Sequence, residues 1–252
     1  MKRGRKQFFF LCAVLLLTPL ATQAAVTSET VSYASGDETV QGYLARPEDK
    51  GPFPAIVVIH EWWGLNDQIK SLAEKFAGNG YVALAVDLYR GRVATDRGEA
   101  RELSRGLPRD RAVRDLKAAV SYLRARRDVH GDRIGSIGWC MGGGYSLALA
   151  LNQADLAAAV IYYGRLVTEA ASLRRLNARV IGFFGEEDRG IPVASVRQFE
   201  SQARALGKSV TVHIYPGASH AFANDTRPSY RPQAARDAWE KTLAFFAATL
   251  KR

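Results

Sequence analysis

The stretch Ser136-Ile137-Gly138-Trp139-Cys140-Met141-Gly142-Gly143-Gly144-Tyr145-Ser146 carries an apolar run into a glycine-rich one. "RIGSIGW" reads as a strand and "GGGYSLALALN" as a helix, with a turn at Cys140 between them. A strand-to-helix turn tight enough to expose its central side chain needs small neighbours, and Gly138 and Gly142 supply them. The residue at its centre is often strained. The first turn of the following helix aims free N–H groups and a positive dipole end at the sulfur, which favours a thiolate. A cysteine between glycines can equally be an inert buried thiol, so the rest of the chain has to decide.

Outward from this turn, near-continuous apolar runs alternate with helical patterns. "ETVSYAS" and "TVQGYLARP" form an initial hairpin around Ser35-Gly36-Asp37. "PAIVVIH" reads as a buried strand, "NDQIKSLAEKFAGNG" as a helix capped near Asn66 or Asp67, and "YVALAVDL" as the next strand. A long connection through "YRGRVATDRGEARELSRGLPRD" leads to an arginine-rich helix with Val113, Leu116, Val120 and Leu123 at helical spacing. Beyond the turn come the strands "LAAAVIYYG" and "ARVIGFFG", the helix "VASVRQFESQARALG" and the strand "SVTVHIYPG". A last helix repeats Ala235, Trp239, Leu243, Phe246 and Leu250 every three or four residues. Strands apolar on both faces, alternating with amphipathic helices, predict a mostly parallel α/β sheet covered on both sides, with the hairpin as an antiparallel edge.

In such a sheet, ligands bind at the C-terminal ends of the strands. The residues just after the strands are therefore the ones that can meet. They are His60, Glu61, Trp62 and Trp63; Asp87, Tyr89, Arg90 and Arg92; Cys140; Gly164; Glu186, Glu187 and Asp188; and His220. Cys140, Asp188 and His220 follow one another in the nucleophile–acid–histidine order of α/β-hydrolases. In that chemistry the histidine takes the thiol proton and later protonates the leaving oxygen, while the acid fixes the imidazole tautomer. Glu186 and Glu187 are rivals for the acid role; Asp188, just before the turn of "GEEDRGIP", is preferred. His130 sits in a loop, His213 inside a strand, and His60 precedes the nucleophile and shapes the pocket. No spacing such as H-x-x-x-H or C-x-x-C occurs, so no metal is expected.

The N-terminal "MKRGRKQFFFLCAVLLLTPLATQAA" has four basic residues, an apolar run from Phe8 to Leu17 and small residues ending at Ala24. That is the pattern of a cleaved secretory signal peptide over 1–24, and the run is short for a span of about 20 residues. The expected mature chain, 25–252, is a single domain, periplasmic or secreted, with no stable membrane anchor. Removal of the segment lowers the formal charge from +10 to +6 and leaves one cysteine of two. A lone thiol in an exported chain is a candidate reactive group. With 47% hydrophobic residues the chain can build a sizeable core. Its arginines fall on a solvated helix face with no nucleic-acid motif beside them, so no nucleic-acid partner is expected.

The stretches "VVIHEWWGLN", "VDLYRGR", "IGWCMGGG", "YYG", "FGEEDRGIP", "GASHAF" and "AWEKTLAFF" together resemble the dienelactone hydrolase (carboxymethylenebutenolidase) family of α/β-hydrolases, over most of the chain from about Thr30. The resemblance implies an α/β-hydrolase fold, a Cys140–Asp188–His220 triad, no cofactor, and a small-molecule lactone or ester substrate. It matches Glu61 to a family glutamate near the thiol, and the backbone N–H groups of Trp62 and Met141 to the oxyanion hole, as expected for the residue after the nucleophile and an early strand–helix loop. The family holds a substrate carboxylate with arginines: one after "DLY", matched by Arg90 or Arg92, and one four residues after the histidine, where this chain has Asn224. Tyr89 and Trp63 complete the expected substrate contacts. The resulting expectation is an exported lactone or small-ester hydrolase acting through a thioester. The alternatives are a general carboxylesterase of the same fold, or a non-catalytic binding or redox-sensing protein. The last leaves His220 and Asp188 unexplained.

Overall fold

The computed structural model describes residues 25–251; the predicted signal segment lies outside them. Fifteen elements follow in chain order. The first are β1 (Val26–Ser35), β2 (Glu38–Pro47), β3 (Phe53–Ile59), α1 (Asp67–Gly78), β4 (Val82–Val86), α2 (Arg97–Gly106), α3 (Arg109–Arg124) and β5 (Val129–Trp139). Then come α4 (Met141–Asn152), β6 (Ala158–Tyr162), α5 (Ala170–Leu173), β7 (Arg179–Gly185), α6 (Val193–Ala205), β8 (Val210–Tyr215) and α7 (Pro232–Leu250). The strands form one sheet in the order β1-β2-β4-β3-β5-β6-β7-β8. β2 is antiparallel to both β1 and β4, and every pairing from β4 to β8 is parallel.

The alternation of buried side chains along the strands creates two cores. Val57 and Ile59 face one way, with Leu116 and Val120 of α3, Leu147 and Leu149 of α4 and Phe199 of α6. Ile56 and Val58 face the other way, with Phe76 of α1 and Phe246 of α7. Phe76 lies 5.9 Å from Phe246 and 6.4 Å from Tyr81, both edge-on for Phe76; each such ring contributes about 2–3 kcal/mol by burial alone. α7 is also tied to β6 by a hydrogen bond of 2.8 Å between the buried hydroxyls of Tyr162 and Thr242.

Three details differ from the sequence reading. The long connection after β4 contains a helix, α2, whose cap was legible: Asp96 Oδ1 accepts from the N–H groups of Gly98 (2.7 Å) and Glu99 (2.9 Å), and Glu99 reaches back to the Thr95 N–H. Low apolar content over Arg97–Gly106 masks the helical period, because only Ala100 and Leu103 are buried. On α3, Val113 is half-buried, while Asp115 is fully buried. On α7, Ala238 and Thr242 are buried in place of Ala235, Trp239 and Leu243, so the inward face is shifted by about one position.

β3 and β5 are neighbours, and the chain leaves them in opposite directions, β3 toward β4 and β5 toward β6. This is the switch point at which an open α/β sheet offers a crevice. The residues after β3 and β5 are Glu61–Trp63 and Cys140.

Candidate active site

Cys140 caps α4 with φ 54° and ψ −116°. Such a φ is costly for a residue with a Cβ, and it persists because both flanks are clamped. The Cys140 N–H bonds the Tyr162 carbonyl at 3.0 Å, extending the β5–β6 pairing by one residue. A Cβ on Gly138 would lie 2.1 Å from the Gly142 oxygen, and one on Gly142 would lie 2.3 Å from the Ile59 oxygen. The glycines therefore let α4 start directly against the ends of β3 and β5. Below the turn, the buried hydroxyls of Ser136 and Ser146 bond at 2.8 Å and fasten β5 to α4.

His220 follows β8 and Asp188 follows β7. His220 Nδ1 donates to Asp188 Oδ2 at 2.7 Å. Asp188 is almost fully buried. Its other oxygen accepts from the Gly190 and Ile191 N–H groups at 2.8 and 3.1 Å. Burial opposes its charge, but the bonds from His220, Gly190 and Ile191 hold its carboxyl below the ordinary range. Glu186 and Glu187 are exposed, and the Glu186 carboxylate accepts from the Gly217 N–H at 3.3 Å. With its Nδ1 engaged by Asp188, His220 lines the same cleft as Cys140. Burial disfavours the imidazolium, yet Asp188 and Cys140 outweigh it and push His220 up to about 10.

The chain after β3 completes the site. His60 is fully buried with both nitrogens used: Nδ1 donates to the Glu61 carbonyl at 2.5 Å, and Nε2 accepts from the Leu88 N–H at 3.3 Å. Burial lowers its pKa, so the ring is a neutral strut rather than a base. Glu61 is buried, and its carboxylate accepts from Asn224 Nδ2 at 2.8 Å and the Tyr163 hydroxyl at 3.3 Å. Burial raises its pKa, against the lowering effect of Asn224, His220 and Tyr163. Asn224, standing at the family arginine position, thus meets Glu61 with a neutral donor.

Cys140, His220, Glu61, Trp62 and Trp63 share a cleft of about 570 Å³ with Arg97 and Arg227. Trp62 and Trp63 meet edge to face at 5.2 Å, and the Arg227 guanidinium stacks on Trp63 at 3.8 Å. Tyr89 is buried at the side, its hydroxyl 3.2 Å from the Met141 sulfur. Tyr162 and Tyr163 are core residues.

Neither Arg90 nor Arg92 lines the cleft, which corrects the expectation that one of them holds substrate. Asp87 accepts from the N–H groups of Tyr89 and Gly91, and the loop turns Arg90 (φ 57°) toward the β1–β2 hairpin. There Arg90 pairs with Glu38 at 2.6 Å and with the fully buried Asp115 at 2.7 Å. Arg92 is exposed and pairs with Glu99 at 3.5 Å. The arginines that do line the cleft are Arg97 and Arg227, to neither of which the sequence reading gave a substrate role, although Arg227 lies three residues beyond Asn224. Arg97 sits at the first position of the unpredicted α2, and Arg227 lies beyond a loop with no periodic signal. Among the described residues no group of three His, Cys, Asp or Glu side chains is placed to hold a metal, and no helix is long and apolar enough to cross a membrane.

The family pattern for dienelactone hydrolases matches residues 40–250. The chain belongs to the dienelactone hydrolase family. A "Putative carboxymethylenebutenolidase" of Methylorubrum extorquens is 33% identical over 92% of this chain and 87% of its own length. A "Probable 2-oxo-3-(5-oxofuran-2-ylidene)propanoate lactonase" of Bradyrhizobium is 31% identical over 90% of this chain and 96% of its own. A crystal structure titled as a putative dienelactone hydrolase, from Klebsiella pneumoniae, superposes with a TM-score of 0.82 at 32% identity, covering 88% of this chain and 99% of that one. The fold is that of an α/β-hydrolase, and this dienelactone hydrolase family member is a carboxylic ester hydrolase with a small-molecule substrate.

The placement of Arg90 has a direct consequence. Arg90→Ala leaves the buried Asp115 with Ser35 and Arg114 alone and is expected to cost about 2 kcal/mol in chemical denaturation. Its kcat/KM on neutral and carboxylate-bearing esters should stay within about threefold of wild type. A loss confined to the anionic substrates would return Arg90 to the binding site.

Proposed function

We propose that this protein is an exported hydrolase of lactones or small carboxylic esters that works through a thioester on Cys140, with His220 and Asp188 completing a triad. The observation that carries the reading is the strained Cys140 turn opening on the same cleft as His220, whose Nδ1 is held by a buried carboxylate. With His220 pushed up to about 10, the imidazole is protonated at neutral pH, and the nucleophile of this proposal is the Cys140 thiolate, the reactive form of a cysteine.

The thiolate attacks the substrate carbonyl carbon and forms a C–S bond, and the carbonyl π pair moves onto oxygen. The N–H groups of Trp62 and Met141 are the donors proposed to stabilise that oxyanion. Collapse breaks the C–O bond, and His220 gives its proton to the departing oxygen, which in a lactone stays tethered to the acyl group. Neutral His220 then deprotonates a water. The resulting hydroxide cleaves the thioester, releasing the carboxylic acid product and the thiolate, with the proton back on His220. A lactone preference is supported by the Bradyrhizobium relative, whose name is that of a lactonase. The aromatic Trp62–Trp63 wall suits a flat ring. A carboxylate on such a substrate would meet Arg97 and Arg227, since Arg90 and Arg92 are committed elsewhere.

Cys140→Ala should fold and lose hydrolysis, and His220→Ala or Asp188→Asn should cost about 10³- to 10⁴-fold in kcat. Because the protonated imidazole delivers the leaving-group proton, kcat/KM should fall as pH rises through about 10. Asp188→Asn removes a hydrogen bond that raises the His220 pKa, so this limb should move to lower pH. Wild-type turnover in folded Cys140→Ala would refute the nucleophile. An alkaline limb unmoved in Asp188→Asn would detach Asp188 from His220.

Export rests on the basic and apolar pattern of residues 1–24. Mass spectrometry of protein from the native host should find a chain beginning near Ala25. A full-length chain in the cytoplasmic fraction would contradict this.

A further inference from the structure

Asn224 is buried, and its amide orientation follows from its partners. Oδ1 accepts from the Thr226 N–H at 3.0 Å and the Thr226 hydroxyl at 2.7 Å, so only the Nδ2 end can face Glu61, which it meets at 2.8 Å. The other Glu61 oxygen accepts from Tyr163 at 3.3 Å. The backbone of Glu61 is pinned as well: its carbonyl accepts from His60 Nδ1 at 2.5 Å and the Gly64 N–H at 3.3 Å. The next residue is Trp62. Met141 is the first residue of α4, whereas Trp62 lies in a turn held by these bonds on one side and, on the other, by the Ala94 N–H on the Trp63 carbonyl at 2.8 Å and by Arg227 stacked on Trp63.

We propose that Asn224, oriented by Thr226, is a positioning residue that acts through Glu61 to fix the turn carrying the Trp62 N–H. This rests on the reading above, in which Cys140 is the nucleophile and Trp62 an oxyanion donor. It assigns the Asn224–Glu61 contact to stabilising the tetrahedral oxygen, not to activating the thiol. Oxyanion donors act only when aimed at the point where charge develops, and a displacement of about 1 Å can cost about 10²-fold in rate.

Two reactions of the same sulfur separate these roles. Ester hydrolysis passes through an oxyanion. Alkylation by iodoacetamide does not: the thiolate displaces iodide from carbon and forms a thioether. Thr226→Val removes the hydroxyl donor at nearly constant shape and should lower kcat for an aryl ester about tenfold, and Asn224→Leu about 100-fold, with KM within about threefold. The rate of Cys140 alkylation and its pH profile, followed by peptide mass mapping, should stay within about twofold of wild type in both. Thr226→Ser, which keeps the hydroxyl, should restore turnover. If alkylation slows in step with hydrolysis, or its pH profile shifts, Asn224 acts on the thiol and the proposal is wrong. Unchanged kcat in Thr226→Val overturns it too, and that variant decides alone if Asn224→Leu does not fold. Failure of the underlying reading shows separately, as hydrolysis by Cys140→Ala.

Discussion

Three backbone segments meet at the head of α4 at distances that no side chain tolerates. Gly138, Gly142, Gly143 and Gly164 each lie where a Cβ would come within 2.1 to 2.6 Å of a neighbouring backbone atom. The missing Cβ atoms allow β3, β5, β6 and α4 to converge on one point. Cys140 is held there at positive φ with its sulfur at the start of a helix. The site depends on this convergence: the β3 end brings Glu61 and Trp62, the β6 end brings Tyr163, and the hydrogen bond from Cys140 to Tyr162 sets their mutual register. A larger residue at any of these glycines would push apart elements whose side chains have to meet.

Charge in the site is arranged by how each carboxylate is satisfied. Asp188 has two backbone donors and an imidazole, and stays ionised opposite His220. Glu61 is equally buried but has only neutral donors, Asn224 and Tyr163, and its pKa is raised by burial. The two acids are therefore suited to different work. Asp188 holds the histidine in its protonated form, while Glu61 is fixed in place beside the turn that carries Trp62. Among the described residues four non-glycines have positive φ, and three of them, Cys140, Tyr163 and Ala221, lie at or next to this site. That is where backbone strain is expected to be concentrated.

Most of the architecture was legible in the sequence, because parallel strands buried on both faces leave long apolar runs and their helices repeat at 3.6 residues. The convergence of Cys140, Asp188 and His220 at one end of the sheet was legible too, since each comes shortly after a strand and the sheet rule brings strand ends together. Arg90 was misread for a related reason. It follows β4, but its side chain is drawn to the buried Asp115 on α3, and a buried acid on an otherwise amphipathic helix leaves no periodic signature. Arg97 and Arg227 were missed because a polar helix and an irregular loop bring them to the cleft. The Thr226–Asn224–Glu61 chain was hidden because its first and last members are more than 160 residues apart in sequence.

The account stands on an acyl group carried by the Cys140 sulfur. The direct measurement is acid quench of the enzyme during turnover of an activated aryl ester, followed by peptide mass mapping. The expected result is one acyl adduct on the peptide containing Cys140, removed by neutral hydroxylamine as a thioester would be. An adduct on another residue, or hydrolysis in the Cys140→Ala enzyme at the wild-type rate, would contradict it.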